Sequence, residues 1–218
     1  MNIGVTGKVT RFDELKQTLP PAVNIIFKES FTPDEIATCA YFFDLDFEEH
    51  TERMKTYTTM PSVVFLLSAA SLQLGRVAHE EGIALPQHIL CFNALPGFIN
   101  RSVKEISRHS AEQSAIIKQL EADLQWKAGV TLDRVGMVTP RILFMIMNEA
   151  YFTLQEGTAG KDDIDTAMML GTNYPMGPFA WAKKIGLKAV VELLDALYHD
   201  THDERYKVCP LLRTESYA

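Results

Sequence analysis

His88 opens the stretch HILCFNALPGF, where an imidazole stands at the start of a short apolar run that closes on Pro and Gly. Histidine titrates near neutral pH, so an imidazole within reach of a substrate hydroxyl can serve as a general base. The competing reading is a partly exposed polar residue, following Pro86 and Gln87, that only begins a strand. The first residues, MNIGVTGKVTRF, raise a second question, because a strand, a Gly and a helix at the start of an α/β chain suggest a dinucleotide site. Set against G-x-G-x-x-G, a start at Gly7 puts Val9 and Phe12 where the other glycines belong, and a start at Gly4 puts Thr6 and Val9 there. The second glycine lets backbone approach a pyrophosphate, and a valine side chain stands in the phosphate's place. Glu29 follows Gly7 by 22 residues, where an acid can bind a ribose hydroxyl. NAD is therefore the cofactor to test, with Gly4, Gly7 and Glu29 as its binding positions. His199 and His202 in YHDTHDE have no evident third ligand and end a helix, so no metal is expected.

The elements that carry these residues change character along the chain. NIGVT, AVNIIFK, AYFFDL, SVVFLLS and HILCF are continuous apolar runs, each of the first four followed by an amphipathic stretch. That alternation predicts a parallel sheet covered on both faces. Beyond residue 110, SAEQSAIIKQLEADLQWK, PRILFMIMNEAYFTLQEG and KAVVELLDALYHD place apolar residues at helical spacing. Met145, Met147, Met168 and Met169 read as packing residues. The boundary falls at Gly136, before a helix capped by Thr139 with Pro140 at its first position, which gives domains 1–136 and 137–218. A net charge of −7 with scattered Lys and Arg argues against a nucleic-acid partner. The N-terminal residues lack a secretory pattern and no apolar run is long enough to span a membrane, so a cytoplasmic protein is expected. Cys39, Cys91 and Cys209 are isolated and read as reduced, buried thiols.

The segments DDIDTAMMLGTNYPMGPF and DERYKVCPLL resemble the C-terminal domain of the L-3-hydroxyacyl-CoA dehydrogenases, from about Asp133 to Leu212. A weaker resemblance, carried by SAASLQL and CFNALP, runs from Ser62 to Ile106. The resemblance implies a Rossmann-like sheet domain followed by an all-α domain, and a homodimer through the helical part. It also implies oxidation of a 3-hydroxyacyl-CoA of fatty acid metabolism by NAD, with a histidine base oriented by a glutamate and a serine and an asparagine on the substrate oxygen. Carried over position by position, the serine falls on Ala70, the histidine on Leu90, the glutamate on Ser102 and the asparagine on Pro140. Asp133, Gly136, Arg141 and the Tyr174–Phe179 turn match the family. With too few N-terminal residues for the family's full set of strands, the chain reads as a shortened relative with an eroded active site. Three readings follow. The leading one is a non-catalytic or altered relative that keeps a groove for an acyl-CoA-like ligand between the domains, to which Asn93 and Asn148 contribute. The second is an active NAD-dependent enzyme with His88 as a relocated base and Glu105 as its orienter, although His88 lies about 6.6 Å along the strand from Leu90. The third is a structural dimer.

Overall fold

In the computed structural model, which describes residues 1–218, the apolar runs become strands: β1 (Asn2–Thr6), β2 (Asn24–Phe27), β3 (Tyr41–Asp44), β4 (Val64–Ser68) and β5 (Ile89–Phe92). Two more follow, β6 (Val103–Arg108) and β7 (Lys127–Leu132), and all seven join one sheet in the order β2-β1-β3-β4-β5-β6-β7. Pairing is parallel at every step except β5 with β6, where Cys91 faces Ser107 and Phe92 faces Ile106 in antiparallel register. The expected all-parallel sheet is corrected at that step for a geometric reason. Only residues 93–102 connect the two strands, whereas a parallel crossover takes a dozen residues or more.

The N-terminal half of the sheet departs from the doubly wound order. A doubly wound dinucleotide fold orders its strands 3-2-1-4-5-6. Here β2 is the edge, and the five-residue helix α2 (Pro33–Ala37) carries the chain from β2 back past β1 to β3. The fold is Rossmann-like with one outer strand missing. Direction of strand addition still reverses at β1, so the crevice expected at such a switch lies beyond the C-terminal ends of β1 and β3.

Helices α1 (Val9–Lys16) and α5 (Ser114–Leu124) cover one face, packing Leu15, Ile117, Leu120 and Leu124 with Ile3, Val5, Leu66, Leu90, Phe92 and Ile106. The other face carries Phe42 and Phe65, on which Tyr57 of α3 (Met54–Thr58) rests; α4 (Leu74–Glu80) completes the unit. Gly4 is a glycine for packing, since a Cβ there would lie 2.6 Å from the Phe42 ring. The chain divides into two compact units, Met1–Met137 and Val138–Ala218.

The second unit is all helix: α6 (Thr139–Gln155), α7 (Lys161–Thr172), α8 (Pro178–Ile185), α9 (Leu187–Thr201) and α10 (Pro210–Glu215). Val138, not Thr139, is the cap of α6, and Thr139 is its first residue. The Tyr174–Phe179 turn is organised by Asp165, whose carboxylate accepts from the backbone N–H groups of Phe179 (2.8 Å) and Ala180 (3.0 Å) at the start of α8. Gly177 leaves room for it, because a Cβ there would stand 2.2 Å from Asp165 Cγ. Gly177→Ala must displace that carboxylate, and the lost cap is expected to cost about 2 kcal/mol in urea unfolding. No helix is long and apolar enough to cross a membrane. Cys39, Cys91 and Cys209 are all buried and free.

Candidate functional site

The C-terminal ends of β1, β3 and β4 bring Gly7, Leu45, Asp46 and Ser68 together, and here a dinucleotide would have to lie. Gly7 holds φ +123°, which only glycine adopts readily, so the tight turn after β1 is retained. The rest of the loop is remade. Val9 starts α1 and is 59% exposed, and Phe12 lies under the helix, stacked on Phe27 at 4.1 Å between ring centroids. Asp46 closes over the turn, its Cγ 3.1 Å from the position a Gly7 Cβ would take. Lys8 and Glu49 form an ion pair at 2.5 Å between the start of α1 and the segment after β3. The Arg11 guanidinium donates to the Leu45 carbonyl and lies 3.5 Å from Ser68 Oγ and 3.7 Å from Asp46 Oδ1. Val9 and Phe12 stand where the loop's glycines belong, and the cations beside the turn, Lys8 and Arg11, are engaged by Glu49, Asp46 and the Leu45 carbonyl. The residues present do not fit NAD in the usual mode.

The catalytic positions carried over from the family are equally changed. Ala70 is buried, and its carbonyl accepts from Gly136 N–H at 2.7 Å. Next to it, Ser71 donates its N–H and hydroxyl to Glu48 Oε1 at 2.7 and 2.9 Å. Leu90 is fully buried in the sheet core. Ser102 is exposed just before β6, and Pro140 is buried in the first turn of α6. Asp133 accepts from the N–H groups of Leu74 (2.9 Å) and Gly75 (2.7 Å), a cap for α4, and Arg141 donates to Tyr206 Oη at 3.1 Å.

His88 and Glu105 do not meet. His88 precedes β5, while the Glu105 carbonyl receives the N–H of Asn93 just past the other end of that strand, an offset of five residues or about 16 Å. Nor is His88 partly exposed, as its position suggested: its ring is buried against Phe65, with Nε2 3.0 Å from the Tyr57 carbonyl. Glu105 binds Asn93 instead, whose Nδ2 donates to Oε2 at 2.8 Å while its Oδ1 accepts from Leu95 N–H at 3.3 Å. Asn148 is likewise spent on structure, donating to the Lys207 carbonyl (2.9 Å) and accepting from Cys209 N–H (2.8 Å). Neither asparagine offers an unpaired amide to a substrate groove. No group of three or more His, Cys, Asp or Glu residues is placed to hold a metal.

A buried charge cluster escaped the sequence reading. Asp44, at the end of β3, is fully buried and receives the Tyr57 hydroxyl at 2.7 Å, Arg53 Nη1 at 3.1 and 3.2 Å, and Asp46 N–H at 3.1 Å. Burial pushes its carboxyl above the usual carboxylate range, against the opposing pull of Tyr57 and Arg53. The signal available was an acid closing the apolar run AYFFDL, since a strand-end carboxylate inside a covered sheet needs a partner.

Residues 136–216 match the 3-hydroxyacyl-CoA dehydrogenase C-terminal domain. Over 143 residues the chain is 36% identical to the 3-hydroxyadipyl-CoA dehydrogenase of Escherichia coli, covering 64% of this chain and 29% of that protein. Over 168 residues it is 31% identical to a probable 3-hydroxybutyryl-CoA dehydrogenase of Bacillus subtilis, covering 75% of this chain and 58% of that protein. The chain therefore spans less than two thirds of either relative. Among solved structures, (S)-3-hydroxybutyryl-CoA dehydrogenase from Ralstonia eutropha superposes with a TM-score of 0.77 at 19% identity, over 98% of this chain and 92% of that one, a likeness of fold.

Proposed function

We propose, from the premise that this chain belongs to the 3-hydroxyacyl-CoA dehydrogenase family as a shortened and divergent member, that it no longer performs the family's oxidation and instead binds an acyl-CoA-like ligand as a homodimer. The observation that carries the first part is Leu90, an apolar side chain sealed in the sheet core at the position of the family's base. Without a base, the proton of a 3-hydroxyl has no acceptor within the roughly 3 Å that transfer requires. Ala70 offers no hydroxyl to the substrate oxygen, and the turn after Gly7 has Val9 and Phe12 in place of the glycines against which a dinucleotide pyrophosphate packs. The relocated pair of His88 and Glu105 supplies no substitute, since the two groups stand at opposite ends of β5.

Retention of ligand binding rests on the helical unit, whose match to the family is continuous, and on relatives named for CoA thioesters. The dimer reading rests on apolar side chains left open on that unit, Leu170 at 82% and Ile142 at 58% exposed. Mixing the protein with acetoacetyl-CoA and NADH and following NADH absorbance tests the reading. No turnover is expected at high protein concentration, while calorimetry registers acetoacetyl-CoA binding and sedimentation registers a dimer that Leu170→Glu weakens. Turnover overturns the loss of catalysis. A dimer that binds no acyl-CoA leaves a purely structural role in its place.

A further inference from the structure

β7 is one edge of the sheet, and no strand pairs with its outer side. Asp133 N–H reaches the Arg108 carbonyl of β6 at 3.0 Å, whereas Ala128 N–H turns away from β6 to Glu121 Oε1 at 2.8 Å. Backbone groups alternate sides along a strand, so Lys127, Gly129 and Thr131 bond inwards while Ala128, Val130 and Leu132 present N–H and C=O groups outwards. The side chains of the same three residues share the face that α5 covers, because they stand in register with Lys104, Ile106 and Arg108. Ala128 rests on the core there, but Val130 is 47% and Leu132 69% exposed. Edge strands are ordinarily protected by a lysine, a proline or a bulge. In KAGVTL the lysine stands at the first position and the five residues beyond it carry no such protection.

A strand that pairs antiparallel with its own copy meets itself across a two-fold axis. With that axis at Val130, each Val130 exchanges two hydrogen bonds with the partner's Val130, and each Ala128 pairs with the partner's Leu132. This register uses all three outward residues of β7. It also lays the exposed apolar side chains over one another, valine on valine and leucine on alanine. Exposed Lys127 falls opposite the partner's Asp133, so unlike charges meet at both ends of the pairing. Glu121 yields the Ala128 N–H to the partner's Leu132 carbonyl, one hydrogen bond exchanged for another, and its carboxylate returns to water.

We propose that β7 is a self-recognition edge, through which two copies of the chain pair antiparallel about Val130 and join their sheets into one. A six-residue strand makes a small interface, so it fills at higher protein concentration than the dimer read for the helical unit and does not depend on it.

Cysteine cross-linking of the full chain tests the register. Val130→Cys places two thiols at one hydrogen-bonded pair with Cα atoms about 5.5 Å apart, inside the roughly 4.4–6.8 Å that a disulfide spans. In Leu132→Cys the two thiols stand four residues apart along the paired strands, about 14 Å. Leu132 is the more exposed of the two, so random collision favours it and pairing favours Val130. With oxidised glutathione as the oxidant, Val130→Cys is expected to give disulfide-linked dimers on a non-reducing gel at least tenfold faster than Leu132→Cys. The native cysteines are buried and do not compete. Lys127→Glu, which sets like charges opposite each other, is expected to slow the Val130→Cys cross-link several-fold at low salt. Leu170→Glu is expected to leave it unchanged, so failure of the helical dimer and failure of this edge are read separately. Equal or reversed rates for Val130→Cys and Leu132→Cys overturn the proposal, as does a rate indifferent to Lys127→Glu or a cross-link lost with Leu170→Glu.

Discussion

A Leu90→His variant is expected to lose about 3 to 5 kcal/mol of stability and to gain no dehydrogenase activity. The substitution returns the family's base to its own position, so it asks whether the loss of catalysis is one residue deep. Leu90 is fully buried among Leu66, Phe92 and Ile106. An imidazole there gives up the leucine's packing and finds no polar partner for either nitrogen. Two costs of a few kcal/mol each add in the same direction: the cavity and transfer loss of a core leucine, and the desolvation of an unpaired polar group. Glu105 cannot orient a restored imidazole, because it alternates with Ile106 and so lies on the other face of the sheet, bonded to Asn93. Urea unfolding beside an NADH assay with acetoacetyl-CoA measures both effects, and Leu90→Ile, which conserves volume, is expected to cost under about 1.5 kcal/mol. A Leu90→His protein as stable as the parent and able to turn over would mean that this position faces an open site.

What could be read from the sequence follows from how local each signal is. The runs NIGVT, AYFFDL and SVVFLLS announce buried strands because parallel strands covered on both faces are apolar at every position. β7 gives no such run: KAGVTL is an edge strand, exposed at Lys127, Val130 and Leu132, and the helical stretch SAEQSAIIKQLEADLQWK ends on its first residue. The antiparallel step at β6 was legible in principle from the shortness of residues 93–102. Replacement of the catalytic positions at Ala70 and Leu90 was also legible, because it needs only residue identity and a count. The partners were not. His88 bonds to the carbonyl of Tyr57, Glu105 to Asn93 across an antiparallel step, and Arg11, in α1, to the carbonyl of Leu45 just past β3. Each pairing is made by strand order, which spacing along the chain does not encode.

The Asp44 cluster makes the last expectation one of pH. Arg53→Ala is expected to lower stability by about 3 kcal/mol at pH 8, the low end for removing one partner of a buried pair, because the Arg53 side chain is 30% exposed and partly screened. In a protein of this size the loss appears as a fall in Tm of roughly 6 to 12 °C. Asp44 has a folded pKa above its unfolded value. The folded state therefore binds the proton more tightly, and that contribution is full below the unfolded pKa and is lost as pH rises through the folded one. Arg53 pulls the folded pKa down, so its removal raises that pKa further and leaves a bare carboxylate buried only at higher pH. The penalty should accordingly shrink as pH falls through the folded pKa and the carboxyl takes up its proton. Asp44→Asn tests the same point from the other partner: a neutral amide has no proton to bind, so in that background the cost of Arg53→Ala should no longer vary with pH. A loss that does not vary with pH in the single Arg53→Ala variant would sink the assignment of Asp44 as the titrating group, and would reduce Arg53 to a packing residue.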